Sequence, residues 1–470
     1  MPASKEGGDN NAQEVVNAPR LTGLDCRLGV SAKAAAAGIL CMLLAPPVAW
    51  PQETLTLDQA VATALKSNRL VRAAQLEVEK ADEAVETART YRLPQFSFRL
   101  YELQFLARSS FLFPAGVFGS FPQIGPVPPA ATPVNIARRP ASIPYFQATQ
   151  PITQLRRVNW GVELQSLSRQ IAQEKLREQQ QDIATQVKTA YYNLLQVQSG
   201  LDATEESLAL FKELDRVANE ALQQQVVLRG DMLEAQAGLA KTELDMVVLR
   251  DTSATLKEKL NELMGRDLSM DFAVRGALDP DSYAMDLAAV RARALEQRPE
   301  LREARLKKNQ AETDYKSKKS EYIPDVSFIF TYLSPFNVDV VPRNITVTGF
   351  SLDWDIFDFG RKKHELLAKG HTIEQAGAAV DETAAQILLD VGNRYRKMEE
   401  ARGQLRVSTL SREVAQERVR VGLNRFEQKA VTLKDVLQLQ TSLAENSYKY
   451  LESLLAYWTA RANLEKAMGE

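Results

Sequence analysis

The sequence predicts a mostly α chain, internally duplicated, with a small β part of four strands whose length matches a membrane crossing. Three observations carry this reading. One string of residues occurs twice in fixed register, two stretches of 128 residues contain no proline, and between helical segments the hydrophobic period falls from heptad to alternation. Composition narrows the class. The chain has 470 residues, 45% hydrophobic and 25% charged, which excludes a disordered polymer and a polytopic helical membrane protein. Lys plus Arg number 58 against 60 for Asp plus Glu, so the net charge of -2 lacks the basic footprint of a nucleic-acid binder. Two histidines, His364 and His371, and two cysteines, Cys26 and Cys41, starve the common catalytic and metal chemistries. No enzyme, cofactor or metal is expected.

In chain order, residues 1–52 read as an export signal behind an N-terminal extension. Arg20, Arg27 and Lys33 precede the apolar run Ala34–Trp50, with a cut expected after Ala49 or slightly later. The run is short for a membrane span. Leu40, directly before Cys41, is not the small residue that a lipoprotein signal places there. Cleavage near residue 50 would remove both cysteines.

The first structural repeat is expected over 53–265, a linker over 266–284 and the second repeat over 285–470. Ala64, Arg72, Ala74, Leu76, Ala81, Pro94, Ser97 and Phe98 recur 230 residues on, from Ala294 to Phe328. Ile152, Arg157, Val187, Tyr191, Leu201, Val227, Asp231, Leu233, Gln236, Met264 and Gly265 recur ungapped at an offset of 204. The difference, 230 − 204 = 26, places one insertion in the first copy, within a long loop over 107–143.

Thr56, Leu57, Asp58 and Gln59 form a capping box that opens a helix, and a second helical run from Leu70 to Arg92 stops at Pro94. Phe96, Phe98 and Leu100 then alternate with Ser97, Arg99 and Tyr101, as Val326, Phe328 and Phe330 alternate with Ser327, Ile329 and Thr331. A further alternating run, Thr346, Thr348, Phe350, Leu352, Trp354, Ile356, follows in the second copy. These read as four strands of about ten residues, two per copy. Proline is then absent from Ile152 to Asp279 and from Arg343 to Glu470. Val187, Leu194, Leu201 and Leu208 form a heptad row with Ala190, Val197, Thr204, Phe211 and Ala218 beside it, as in coiled coils. A helix from Asn159 to Gln225 would be about 100 Å long at 1.5 Å per residue. Pauses near Val226–Gly230 and Lys429–Lys434 turn each run into a helical hairpin.

Four strands cannot close a sheet, and open edges are not tolerated in a membrane. Strands of about ten residues fit an outer-membrane barrel with an even strand total. Three chains would supply twelve strands around a wet lumen and twelve long helices below, although these residues alone do not fix the number three.

The duplicated layout, the turn Ile356-Phe357-Asp358-Phe359-Gly360-Arg361 from strand into helix, the Val-x-x-x-Asp-x-Leu-x-x-Gln motif at each tip and the terminal Met468-Gly469 resemble TolC-like outer-membrane efflux proteins over residues 53–470. The resemblance implies a homotrimer: a 12-stranded β-barrel among outer-membrane lipid, continued across the periplasm as a long α-helical coiled-coil barrel. It implies a passive exit duct for small molecules in a tripartite efflux pump, driven by an inner-membrane transporter through a periplasmic adaptor protein. A type I protein secretion duct is the alternative within the family.

By the same resemblance Asp435 and its first-copy counterpart Asp231 correspond to carboxylates that narrow the periplasmic entrance. Three chains would set a carboxylate ring across the pore, a basis for cation preference and a pH-sensitive gate. Each also has a structural reading, since Thr432 followed by Asp435 is a capping-box pattern. A second family carboxylate is Gln438 here, and Gln428-Lys429 and Gln224-Gln225 replace a Val-Gly pair. Adaptor docking is expected at Phe426, Lys429 and Thr432 on one tip and at Gln225, Val227 and Leu228 on the other. His364 and His371 share one helical face without a third metal ligand, and Phe111, Phe113, Phe118 and Phe121 fall in a loop expected to cap the outer mouth.

Outside this family, a periplasmic coiled-coil adaptor would show one hairpin between lipoyl-like β segments, and a secreted filament would not need aromatic strands in both repeats. Neither matches the layout.

Overall fold

The computed structural model describes residues 54–104, 106–107, 109–136, 139–224, 228–275, 286–338, 341–428 and 430–470. The expected export signal, with Cys26 and Cys41, lies outside them, as do residues 276–284 of the expected linker and the tip residues Gln225, Val227 and Lys429.

The first copy opens with a short strand β1 (Thr54–Leu55), then α1 (Leu57–Ser67) and α2 (Arg69–Thr90). The capping box is present: Thr56 Oγ1 accepts from the Gln59 N–H at 3.3 Å, and the Thr56 N–H donates to Gln59 Oε1 at 3.0 Å. Asn68 ends one helix and starts the next. Its Oδ1 accepts from the Leu70 and Val71 N–H groups while its Nδ2 donates to the Leu263 carbonyl at 2.8 Å. Strand β2 (Gln95–Gln104) leads to the insertion, where two small hairpins form: β3 (Ser109–Phe113) with β6 (Thr132–Ile136), and between them β4 (Ser120–Phe121) with β5 (Gly125–Pro126). The segment expected as a loop is therefore partly stranded, held by backbone bonds that the absence of charge between residues 109 and 136 does not oppose. Strand β7 (Pro140–Pro151) returns, and α3 (Leu155–Gln223) and α4 (Arg229–Met264) form the first long hairpin.

Strand β8 (Ala273–Val274) pairs in parallel with β1, so the chain returns to its own start before the second copy. There α5 (Leu287–Gln297) and α6 (Pro299–Lys319) are followed by β9 (Asp325–Leu333), β10 (Ile345–Asp353), α7 (Arg361–Glu427) and α8 (Leu433–Met468). At 69 and 67 residues, α3 and α7 are each about 100 Å long. Trp354 and Ile356, expected in the last strand, lie beyond its end at Asp353, because the chain there already turns toward α7.

The four long strands form one antiparallel sheet in the order β10-β9-β7-β2. Register puts Phe98 opposite Phe146, Phe146 opposite Tyr332 and Phe328 opposite Phe350, so one face is aromatic. On it Phe328 meets Phe350 edge to face at 5.6 Å, and Phe146 touches both Phe96 and Phe330. The other face carries Ser97, Arg99, Gln147, Ser327, Thr331 and Ser351. Phe96, Phe98 and Phe350 remain more than two-thirds exposed, which a water-facing sheet surface does not sustain. Among the described residues no helix is long and apolar enough to cross a membrane.

Packing repeats the duplication. Ile183, Val187, Leu194, Leu260 and Met264 pack with Ala64 and Val71 in one core, while Ile387, Val391, Met398, Leu464 and Met468 pack with Ala294 and Leu301 in the other. These are the offsets of 204 and 230 seen in the sequence. Tyr191 is buried in the first core while its counterpart Tyr395 is half-buried, and the Tyr191 hydroxyl lies 2.8 Å from the carbonyls of both Leu55 and Arg275 and so fastens β1 to β8. The helices run side by side as α4, α3, α8, α7, and the middle pair is clamped across the repeats. Gln181 Nε2 donates to the Gly469 carbonyl at 2.6 Å, Lys188 meets Glu465 at 2.6 Å and Lys466 meets Asp182 at 2.5 Å.

Gly265 ends α4 at φ 67°, and a Cβ there would stand 2.4 Å from the Ser67 carbonyl oxygen. Gly469 repeats the arrangement against Gln297. Gly265→Ala is expected to cost more than the 1–2 kcal/mol of left-handed strain alone, roughly 2–4 kcal/mol once the backbone contact is added, read as a lowered denaturant midpoint.

Candidate functional site

The tips of the two hairpins carry Asp435 and Asp231, the residues that the resemblance singles out. Each tip forms where a helix of about 67 residues stops and a helix of 36 begins after a few residues. Thr432 opens α8 as its N-cap. Its N–H donates to Asp435 Oδ2 at 2.9 Å, its hydroxyl donates to the same oxygen at 2.6 Å, and the Asp435 N–H returns a bond to Thr432 Oγ1 at 3.3 Å. The hydroxyl and backbone N–H of Thr432, with a smaller contribution from Lys434, hold the Asp435 carboxyl below the usual carboxylate range. Asp435 is exposed on the tip, charged at neutral pH, and keeps Oδ1 outside the capping box.

The first tip is a weaker version. Leu228 stands where the second has threonine and offers no acceptor, so only the Leu228 N–H to Asp231 Oδ2 bond, at 3.3 Å, survives. Asp231 is half-buried, whereas Leu228 is 76% exposed. Asp435 and Asp231 sit one turn inside their helices on separate hairpins, and no bond joins them.

Phe426, expected on the docking surface, is partly buried and packs between the hairpins. It joins Leu437 against Phe211, Leu214, Ala218 and Ala235, so copy two reaches into the copy-one hairpin just behind the tips. The sequence signal for this was available: Phe211 and Ala218 lie in the heptad row, and Leu437 in the tip motif.

At the other end of the second hairpin, Phe359 and Gly360 take successive positive φ values of 55° and 87°. Asp358 holds the turn, with Oδ1 accepting from the Gly360 N–H at 3.1 Å and Oδ2 from the Lys362 N–H at 2.9 Å. Phe357 stacks edge to face on Phe359 at 4.7 Å, and Arg361 reaches Asp355 and Glu365. His371 lies beside Glu374, and among the described residues no three His, Cys, Asp or Glu side chains are arranged to hold a metal.

Sequence reasoning missed the charge cluster between the repeats. Arg298, at the head of α6, bonds Glu300 at 2.7 Å and Asp390 of α7 at 2.9 Å with only 11% of its side chain exposed. Nearby on α3, burial and then the charges of Glu300, Asp182 and Glu303 raise the Glu178 carboxyl, against a smaller opposing pull from Lys466. Because the folded value lies above the ordinary one, the protonated form is favoured by folding, and that stability is lost as pH rises through the folded value. Glu178→Gln is therefore expected to raise the thermal midpoint at pH 7 and to leave it unchanged near pH 4. An open groove of about 500 Å³ along α3, α4 and α8 includes Asp182, Gln186, Lys259 and Asn463.

Comparison with known proteins bears on the whole architecture. No curated protein sequence matches the chain. Three solved channels share its fold at low identity. The CmeC outer membrane channel of Campylobacter jejuni is 14% identical with a TM-score of 0.70, over 96% of this chain and 94% of that one. The MtrE outer membrane channel of Neisseria gonorrhoeae, in its open state, is 16% identical with a TM-score of 0.70, over 88% of each chain. The outer membrane protein VceC of Vibrio cholerae is 15% identical with a TM-score of 0.68, over 88% of this chain and 96% of that one. A sequence profile described as outer membrane efflux protein matches residues 60–266 and 290–470, one segment on each repeat. With paired membrane-length strands and a long helical hairpin in both copies, the chain belongs to the outer membrane efflux protein family.

Proposed function

We propose that three copies of this chain close into one continuous duct, which passes small molecules out of the cell for an inner-membrane transporter coupled through a periplasmic adaptor. One observation carries the closure: the same two flanks are left open in the strands and in the helices. Among the described residues β2 and β10 pair on one edge only. On the helices, α4 leaves Leu244, Val247 and Val248 more than half exposed, and α7 leaves Leu389, Val407 and Leu410 so. Copy one thus ends in β2 and α4, copy two in β10 and α7. Joining the copy-two flank of one chain to the copy-one flank of the next is a heterologous contact, and three such contacts close a twelve-stranded ring. Both strand edges then disappear, as a membrane requires.

In this assembly the tips form the inner mouth, with Asp435 as its carboxylate ring and Asp231 as a contributor outside the narrowest point. Exposed Leu228 and Thr432, with the neighbouring Gln225, Val227 and Lys429, supply the adaptor surface, and Phe426 supports it from behind. Transport through such an open duct is passive. Asp435→Asn, measured in planar bilayers, is expected to change single-channel conductance and to weaken blockade by divalent cations severalfold. The cap oxygen is retained by asparagine, so stability should hold. Unchanged conductance and blockade would leave Asp435 as a helix cap only.

A further inference from the structure

Each of the four crossings between strand and helix leaves one exposed cation with neither a carboxylate nor an aromatic ring as partner among the described residues. Arg92 lies between α2 and β2, beside the exposed Tyr91 and Leu93. Arg156 opens α3 just after β7 and the exposed Ile152. Lys319 closes α6, ahead of the exposed Tyr322 and Ile323 that lead into β9. Lys363 stands in the first turn of α7, behind β10 and the exposed Trp354 and Phe357.

Neighbouring cations at these crossings are already engaged. Arg157 meets Asp325 at 2.7 Å, Lys318 meets Glu321 at 2.8 Å and Glu365 at 2.7 Å, Arg361 meets Asp355 and Glu365, and Lys316 lies over the Trp160 ring at 5.5 Å. Duplication does not account for the four that remain. Arg92 corresponds to Tyr322, and Lys319 corresponds to Arg89, which pairs with Glu86. Arg156 corresponds to Gly360 and Lys363 to Asn159. The same chemistry therefore occurs at the same level of the fold from four unrelated sequence positions.

That level is where the aromatic face of the sheet ends. Aromatic side chains next to cations at the end of an apolar band match a headgroup layer, where rings sit at the interface and cations face phosphates. We propose that Arg92, Arg156, Lys319 and Lys363 form a collar that binds the phosphate headgroups of anionic phospholipid in the leaflet facing the helices. The collar rests on the membrane-barrel reading above. It adds a partner chemistry: anionic phospholipid is selected over zwitterionic lipid by free cations, while the exposed apolar neighbours, aromatic at three of the four crossings, fix the depth.

The test uses the full chain, purified and reconstituted into vesicles of phosphatidylcholine alone or mixed with phosphatidylglycerol. Lipids retained after gentle extraction are counted by native mass spectrometry. The unaltered protein is expected to retain phosphatidylglycerol over phosphatidylcholine at low salt and to lose the preference at high salt. The variant R92Q/R156Q/K319Q/K363Q should lose the selectivity, by up to about fivefold for each cation removed. The single variant K363Q should lose one share of it, which keeps the test informative where the fourfold variant folds poorly. Equal selectivity in unaltered and variant protein would overturn the collar. So would displacement of the lipid by inorganic phosphate at the same concentration, which would mark simple ion sites. A fall in assembly mass with unchanged lipid selectivity would assign these cations to contacts between copies and also overturn it. The same spectra report assembly mass separately, so a failure of the three-chain reading is told apart from a failure of lipid selection.

Discussion

Phe328→Arg is expected to remove the protein from the outer membrane. Phe328 lies near the middle of β9 on the aromatic face, opposite Phe350 across the ladder and in ring contact with it. An arginine on the lipid side of a barrel near mid-depth costs about 2–4 kcal/mol, and a three-chain barrel would carry three of them. The folded assembly should fall severalfold in outer-membrane fractions, with the remaining chain found unassembled. Thr331→Arg is the matched control, because alternation puts Thr331 on the opposite, polar face of the same strand. It should assemble and alter conductance only. Equal loss in both variants would mean that the sheet has no lipid side, and the aromatic face would then need a protein partner.

The second large effect concerns the joint between helices of the second copy. Arg298→Met removes a nearly buried guanidinium and strands Glu300 and Asp390. Breaking one side of a buried ion pair costs about 3–5 kcal/mol, but Asp390 keeps 35% of its side chain exposed and retains Arg394 at 3.1 Å. A loss of about 2 kcal/mol is therefore expected at neutral pH. Burial works against the Asp390 charge, yet the guanidiniums of Arg394 and Arg298 outweigh it and hold the carboxyl below its usual range. A depressed folded value means that the stabilisation is present above the ordinary carboxylate range and lost as pH falls through the folded value. Denaturation of unaltered and R298M protein should accordingly converge in acid. A difference that persists there would point to lost packing by the arginine stem rather than lost charge.

The duplication was the most legible part of the fold because it is encoded twice. Ile183 and Ile387, or Ala64 and Ala294, fill equivalent sites in two cores, so one offset in sequence becomes one geometry in space. The strands were legible where alternation is clean, as at Phe96, Phe98 and Leu100, and misread where it is accidental. Trp354 and Ile356 continue the period by residue type, but the turn set by Asp358, Phe359 and Gly360 has already drawn the backbone toward the helix. The hairpins within 107–143 escaped notice because proline and glycine there mark turns without marking which short strands they join.

Long-range polar contacts were the least legible. Nothing in the heptads around Tyr191 says that its hydroxyl meets Leu55 and Arg275 from opposite ends of the repeat. Arg298 looks like one more helix-start arginine until Asp390, 92 residues away, is brought beside it. At the tips the aspartates were legible as residues, but their unequal surroundings follow from a single difference, threonine at 432 against leucine at 228. That difference makes one carboxylate a reciprocal cap and leaves the other held by a single backbone bond.

The most direct measurement of the central claim is the mass of the protein extracted from outer membranes in mild detergent, followed by conductance of the same sample in a planar bilayer. A particle of three chains with discrete, stable conductance is the expected result. A single chain with no conductance would contradict it: β2 and β10 would then keep their open edges outside any membrane, and the long hairpins would belong to a periplasmic scaffold instead of a duct.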